Sequence, residues 1–337
     1  MIDSKIGHEL SRKIKALGLS SGGLDSILSA LVLKKQGIDV TWISFTTPFF
    51  GCDAALKASE LLGIPLIVED ITGVYLKMLA HPPAGYGKNM NPCMDCHALM
   101  FLRAGLVMKK QGFDFLFSGE VVGQRPKSQN KNSMRYVEKK SGFDGYILRP
   151  LSAKLLPETI AEKKGFVDRE KLLSISGRSR KIQIHMAKQF KVKDYPTPAG
   201  GCLLTDREFS ERLKDLMVVQ KNFQEKDLFL LKYGRHLRLD ENTKIVVGRS
   251  KSDNDSIMKL YIKQHDILIR HSSMPGPDLL IPSGACDTLV QKAASICAGY
   301  TKTKPGDFAE MKVRSKNGDR ILRVPALSPA QFQHLMI

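Results

Sequence analysis

The chain has 337 residues, 42% of them hydrophobic, with 52 Lys and Arg against 34 Asp and Glu, a net charge of +18. This length predicts two domains with real cores, and the basic excess points to a polyanion as partner, nucleic acid first. No apolar run reaches the roughly 18 residues of a membrane span and the N-terminal stretch lacks the apolar centre of a signal peptide, so a membrane role is excluded and a cytoplasmic location is expected.

Residues 14–19 form an apolar run that predicts a strand, and 24–36 continue with helical spacing. Between them stands Leu19-Ser-Ser-Gly-Gly-Leu-Asp-Ser26. A strand, a glycine turn and a helix start together make an anion cradle, because free backbone N–H groups and the positive end of the helix dipole face the turn. Gly22 and Gly23 allow close backbone approach, while Ser20, Ser21 and Ser26 add hydroxyl donors. A diphosphate is the natural occupant. No Lys-Ser/Thr pair follows the glycines, so this is not a Walker loop, and the spacing is not the dinucleotide G-x-G-x-x-G.

Further strands are predicted at 40–45, 65–69, 115–118 and 145–148, with helices at 54–62 and 93–110. Their alternation predicts an α/β fold with a doubly wound parallel sheet. Right-handed crossovers then place the first turn at the carboxyl edge, where such sheets bind ligands. Trp42 is expected in the sheet core.

The helix predicted at 93–110 opens with Asn89-Met-Asn-Pro-Cys-Met-Asp-Cys-His97. Cys93 and Cys96 are thus a C-x-x-C at a helix N-terminus, a position that favours thiolate. Residues 157–190 read as helical and basic. Arg178, Arg180, Lys181, Lys188, Lys191 and Lys193 carry no intervening acid, and Arg125, Lys127, Lys131 and Arg135 form a second basic stretch. Both fit contacts to a phosphate backbone. Next comes Asp194-Tyr-Pro-Thr-Pro-Ala-Gly-Gly-Cys202, whose prolines and glycines forbid regular structure and present a third cysteine.

Three cysteines allow several chemistries. An iron–sulfur cluster held by Cys93, Cys96 and Cys202 would keep one iron open for exogenous sulfide. A zinc would want a fourth ligand, with Asp95 or His97 adjacent. A metal-free reading has one cysteine carry a persulfide and another resolve it as a disulfide. An inert C-x-x-C is the remaining alternative. Cys52, Cys286 and Cys297 are expected to be structural.

After residue 223 the texture changes. Strands are predicted at 244–247, 266–270, 278–281, 311–314 and 320–324, the last two around Asn317-Gly318, a hairpin signal, with a helix at 285–298. The expected division is therefore 1–222 and a second, smaller α+β domain at 223–337.

Ser20–Ser26 matches Ser-Gly-Gly-x-Asp-Ser and so resembles the PP-loop ATP pyrophosphatases, of the adenine nucleotide alpha hydrolase-like fold. With the cysteine motifs, residues 10–215 resemble the tRNA thiouridine synthetases of that class, 2-thiouridylases and 4-thiouridine synthetases, and the subgroup whose three cysteines hold a [4Fe-4S] cluster. Ser118-Gly-Glu-Val-Val-Gly-Gln-Arg125 and Arg149-Pro-Leu151 also resemble family segments. The resemblance implies an AMP-forming tRNA sulfurtransferase using ATP and Mg2+. A uridine carbonyl oxygen would be adenylated and then replaced by sulfur, supplied as sulfide or through a cysteine desulfurase relay. It places ATP on Ser20, Gly22, Gly23, Asp25 and Ser26, with the adenine near Ser44, Phe45 and Thr46 beside Gly119 and Glu120. Asp25, Cys93, Cys96 and Cys202 would carry the chemistry, and Arg178, Arg180 and Lys181 the RNA backbone. No THUMP-like or rhodanese-like segment is present. Residues 243–325 instead resemble the NFACT RNA-binding domain, through Val247-Gly-Arg-Ser-Lys-Ser-Asp-Asn-Asp255, Asp266-Ile-Leu-Ile-Arg-His271 and Met274-Pro-Gly-Pro-Asp-Leu-Leu-Ile281. This implies RNA contact near Arg249. Pro277 departs from the small polar residue usual there. Amide or sulfur transfer to a small molecule, and a non-catalytic RNA-binding factor, are the competing readings.

Overall fold

Lys15–Leu19 forms β1, its centre buried on both faces, and Leu24–Lys34 forms α1 directly after the glycine turn. The structure, a computed structural model, describes residues 12–196, 202–220 and 222–337. Two compact units divide it, the first ending at Leu203 and the second running Leu204–Ile337. Residues 197–201 of the predicted proline–glycine loop lie outside the described residues.

In the first unit the chain continues through β2 (Asp39–Thr46), α2 (Asp53–Leu62), β3 (Leu66–Asp70), α3 (Thr72–Ala80), α4 (Cys93–Gln111), β4 (Phe115–Ser118), α5 (Lys131–Ser141) and β5 (Ile147–Leu148). The five strands run in the order β3-β2-β1-β4-β5, every neighbour parallel. This is the predicted doubly wound sheet. Strand order reverses between β1 and β4, so the crevice for a ligand opens at their carboxyl ends. The core joins α1 to the sheet through Leu24, Leu28, Trp42 and Phe117, all essentially inaccessible. Gly18 is required in β1 because the Phe117 ring occupies the space of a Cβ.

Residues 157–190 are less helical than their pattern predicts. They hold a single turn, α6 (Ile160–Lys163), a 3-10 turn at Arg169–Lys171 and α7 (Lys181–Gln189), with irregular chain between. Buried Ala161, Val167, Leu172 and Ile175 supplied the apolar signal, but they dock individually onto the core of the sheet.

The second unit begins earlier than predicted. It includes α8 (Arg207–Val219), α9 (Glu225–Leu230), β6 (Arg235–Arg238), β7 (Lys244–Val247), α10 (Lys251–Leu260), β8 (Ile267–His271), β9 (Leu279–Ile281), α11 (Asp287–Gly299), β10 (Phe308–Ser315), β11 (Gly318–Pro325) and α12 (Pro329–Phe332). Contacts within the unit account for the placement of α8. Arg212 donates to the Leu231 carbonyl at 3.2 Å, and Asp215 pairs with Arg238 at 2.6 Å. The sheet is antiparallel throughout, in the order β11-β10-β8-β9-β7-β6. Ser315 pairs with Gly318, so Lys316 and Asn317 form the hairpin turn and Gly318 follows at φ +108°. The Asn-Gly signal located the hairpin but shifted the turn by one residue. Cys297 is fully buried, as expected of a structural cysteine, whereas Cys286 is exposed at the start of α11.

Candidate functional site

The turn after β1 is built by sterics and a few hydrogen bonds. Gly22 sits at φ +72°, and an added Cβ there would stand 2.2 Å from the Ala54 backbone at the start of α2. The Gly22 N–H donates to Ser20 Oγ at 3.2 Å, and Ser26 Oγ donates to the Gly23 carbonyl at 2.8 Å. Ser44 donates to the Ser20 carbonyl, tying β2 to the turn. Gly119, just past β4, is equally constrained, since its Cβ would meet the Asp25 and Ser26 backbone at 2.4 Å. The first turn of α1 therefore lies at the carboxyl ends of β1 and β4, where strand order reverses, and its leading N–H groups have no partner within the helix.

Asp25 has one oxygen occupied and one available. Oδ2 accepts from Gln124 Nε2 at 2.7 Å, while Oδ1 is buried with no partner. Gln124 in turn accepts from Gln183 Nε2 at 3.2 Å, and Gln183 is fully buried in α7. A carboxylate oxygen desolvated without a partner is costly, and a hard divalent cation is the chemistry that fits it. Gln124 and Gln183 were not read from the sequence. Gln124 lies in the segment 118–125, but nothing local shows that it bridges two helices.

Ser44 and Phe45 are each 3% exposed. Their side chains are spent on the sheet, which leaves only backbone for a nucleotide at that edge. Glu120 is also committed. It bonds His97 Nδ1 at 2.9 Å, Arg149 Nε at 2.9 Å and Ser118 Oγ at 3.2 Å. Burial pushes its pKa up, yet the Arg149 guanidinium and His97 outweigh that and hold it at about 2. Arg149, itself buried, also pairs with Glu138 on α5.

Tyr75, 1% exposed on α3, has its phenol pushed well above its ordinary pKa by burial first, with the sulfurs of Cys96, Cys202 and Cys93 acting in the same direction. Next to Cys202, the Leu203 N–H donates to the Phe49 carbonyl at 3.1 Å. The Phe49 ring packs on Tyr75 with centroids 5.6 Å apart. Cys93 accepts from Asn91 Nδ2 at 3.2 Å. The link to the turn runs along the same edge of the sheet: His97 adjoins Cys96, bonds Glu120, and Glu120 adjoins the Gly119 that abuts Asp25.

Two expectations about the cysteines need correcting. The helix N-terminus does not favour thiolate at Cys96; complete burial pushes that thiol well up, and the neighbouring sulfurs push it the same way. Neither adjacent residue stands ready as a fourth ligand. Asp95 accepts from the Ala84 N–H and from Tyr136, each at 2.8 Å, and so pins the loop before α4, while His97 is on Glu120. Among the described residues no three His, Cys, Asp or Glu side chains stand as a metal-ligating group. Asp95 and His97 are therefore already engaged and do not supply the fourth ligand of a structural zinc.

The basic residues fall on both units. In the first, Arg178 and Lys181 are exposed where the chain enters α7, and Arg180 is half-buried. In the second, Arg249 is engaged with Asp253 at 3.1 Å just before α10.

A family model described as the NFACT protein RNA binding domain matches residues 234–336. The chain is also similar to curated tRNA enzymes. A tRNA-specific 2-thiouridylase of Thermoanaerobacter sp. is 26% identical over 233 residues, 61% of this chain and 59% of the relative. One from Endomicrobium trichonymphae is 30% identical over 179 residues, 45% of this chain and 49% of the relative. The chain thus spans between about half and six-tenths of these relatives' length. A solved predicted subunit of tRNA methyltransferase from Methanocaldococcus jannaschii is 16% identical, covering 52% of this chain and 76% of that one at a TM-score of 0.33, too slight a likeness to bear on fold or function.

Proposed function

We propose that the chain is an ATP-dependent tRNA sulfurtransferase, AMP-forming, with its catalytic region in the unit that ends at Leu203 and its RNA-binding region in the unit Leu204–Ile337. The observation that carries this reading is the glycine turn between β1 and α1, packed against Ala54 and Gly119, with the Asp25 Oδ1 left buried and unpartnered beside it; Cys96, Cys202 and Cys93 all act on Tyr75 in the same unit. Similarity to 2-thiouridylases and the match to an RNA-binding domain model support it.

In the proposed reaction ATP lies over Ser20, Gly22, Gly23 and Ser26, whose N–H and hydroxyl groups stabilise the departing pyrophosphate. Asp25 Oδ1 would hold a Mg2+ ion, which would screen the phosphate charge. A uridine carbonyl oxygen attacks the α-phosphorus and pyrophosphate leaves. The terminal sulfur of a cysteine persulfide then attacks the activated ring carbon and AMP departs. A second cysteine thiolate attacks the sulfur still joined to the protein. That closes a disulfide and leaves the thiocarbonyl on the base. The site is reloaded in one of two balanced ways: an external thiol reduces the disulfide and a desulfurase relay then passes the outer sulfur of its own persulfide to a cysteine thiolate, or sulfide attacks the disulfide directly, so that one cysteine becomes the persulfide and the other leaves as thiolate. Cys93 and Cys202, both half-buried, are better placed for these exchanges than Cys96. No step is routed through a cluster.

Two assays on one variant test this. Cys202→Ser is expected to retain tRNA-dependent ATP–pyrophosphate exchange and to lose thiouridine in digested tRNA by at least a hundredfold. Full thiolation by that variant refutes the sulfur route. Amide or sulfur transfer to a small molecule, with no tRNA dependence, refutes the substrate. Iron at about four per chain after anaerobic purification replaces the persulfide route by a cluster.

A further inference from the structure

The second unit contains a cavity of about 460 Å³ that nothing above uses. It opens between α10 and the chain that leaves β8, and its walls are fixed. Asn254 on α10 donates to the Gly276 carbonyl at 3.1 Å and accepts from the Asp278 N–H at 3.0 Å, clamping the loop to the helix. His271 Nδ1 accepts the N–H groups of Ser273 and Met274 at 3.2 and 3.0 Å. The neutral ring therefore carries its proton on Nε2, a donor set by the loop itself.

The lining is mixed in a way that selects its ligand. Met258, Met274 and Pro277 give apolar, polarisable surface of the kind a flat ring packs on. Arg270 lies along the wall, with Nη2 on Asp278 at 2.9 Å and Nε buried without a partner. Asp255 and Asp278 add carboxylates. A phosphate would be repelled by both acids. A neutral ring with donors on one edge and acceptors on another would use every group present. Guanine has that pattern: N1–H and the 2-amino group donate to a carboxylate, while O6 and N7 accept from arginine or histidine. The volume is ample for a nucleobase with its sugar. Stacking on apolar side chains requires that the base be splayed out of a helix.

We infer that this cavity takes one unpaired guanine of a single-stranded RNA, with the phosphates left outside beside Lys251. The inference rests on the proposal that this unit binds RNA, and it names what the unit reads.

The test uses the full chain and fluorescence anisotropy at one fixed salt concentration. Three labelled RNAs of about twelve nucleotides serve as probes: a single strand with one central guanine, the same strand with uridine there, and a duplex of the first. The guanine strand is expected to bind at least tenfold tighter than the other two. Asp255→Ala and Met258→Ala are each expected to erase that preference, with thermal melting curves confirming the fold. Equal binding of guanine and uridine strands by the wild-type chain overturns the inference and leaves RNA binding intact. So does a preference that survives both substitutions. Absence of binding to all three RNAs overturns RNA binding by this unit and the inference with it.

Discussion

Glu120 shows how far one residue's role depends on its neighbours. Its ordinary carboxyl pKa of 4.5 falls to about 2 beside Arg149 and His97. A carboxyl lowered in the folded state stabilises fully above its unfolded pKa and loses that contribution as pH falls through the folded one. The acid-sensitive window is therefore about pH 4.5 down to 2. Glu120→Gln should remove this part of the acid sensitivity and cost about 3 kcal/mol at neutral pH, because Arg149 then keeps its buried charge with one partner fewer. Urea unfolding of both proteins at pH 7 and 3 measures it. The cysteines give a second contrast. Cys93 and Cys96 look equivalent as C-x-x-C, yet Cys96 is 9% exposed and its thiol is pushed well up. Alkylation by iodoacetamide, followed by mass spectrometry, should modify Cys93 at least tenfold faster than Cys96.

Among the elements, those with a short-range signature were readable. The strand–turn–helix at β1 and α1 is one, since a glycine pair between an apolar run and a helical pattern has few other solutions. Gly22→Ala puts a Cβ at φ +72° against the Ala54 backbone. It should cost about 1–3 kcal/mol from backbone strain alone and abolish ATP–pyrophosphate exchange, with thermal melting and the exchange assay as readouts. Helices without a clear apolar stripe were missed. In α5, Lys-Asn-Ser-Met-Arg-Tyr-Val-Glu-Lys-Lys-Ser, only Met134 and Val137 are large buried apolar residues. Its lysines and arginine read as part of a basic stretch. The Asn130 cap on the Ser133 N–H at 2.8 Å and burial of that narrow face are what make it a helix.

At the scale of the whole molecule, the charge of +18 should govern affinity for RNA. Binding to single-stranded RNA should weaken steeply with salt, and each lost phosphate contact should flatten the log–log slope by about 0.7. Arg178→Ala and Lys181→Ala, titrated between 50 and 300 mM salt, should each show that change, since at the middle of this range the Debye length is about 8 Å and only close phosphate contacts act. The sequence by itself determined the glycine turn between β1 and α1, the parallel α/β core and the antiparallel hairpin, because each depends on neighbours a few positions away. The tertiary structure alone decided that Gln124 and Gln183 tie α7 to Asp25, that the Leu203 N–H is held by the Phe49 carbonyl, and that Asp95, His97 and Glu120 are already engaged. These outcomes depend on desolvation and on contacts across tens to more than a hundred residues, and no local pattern of side chains encodes either.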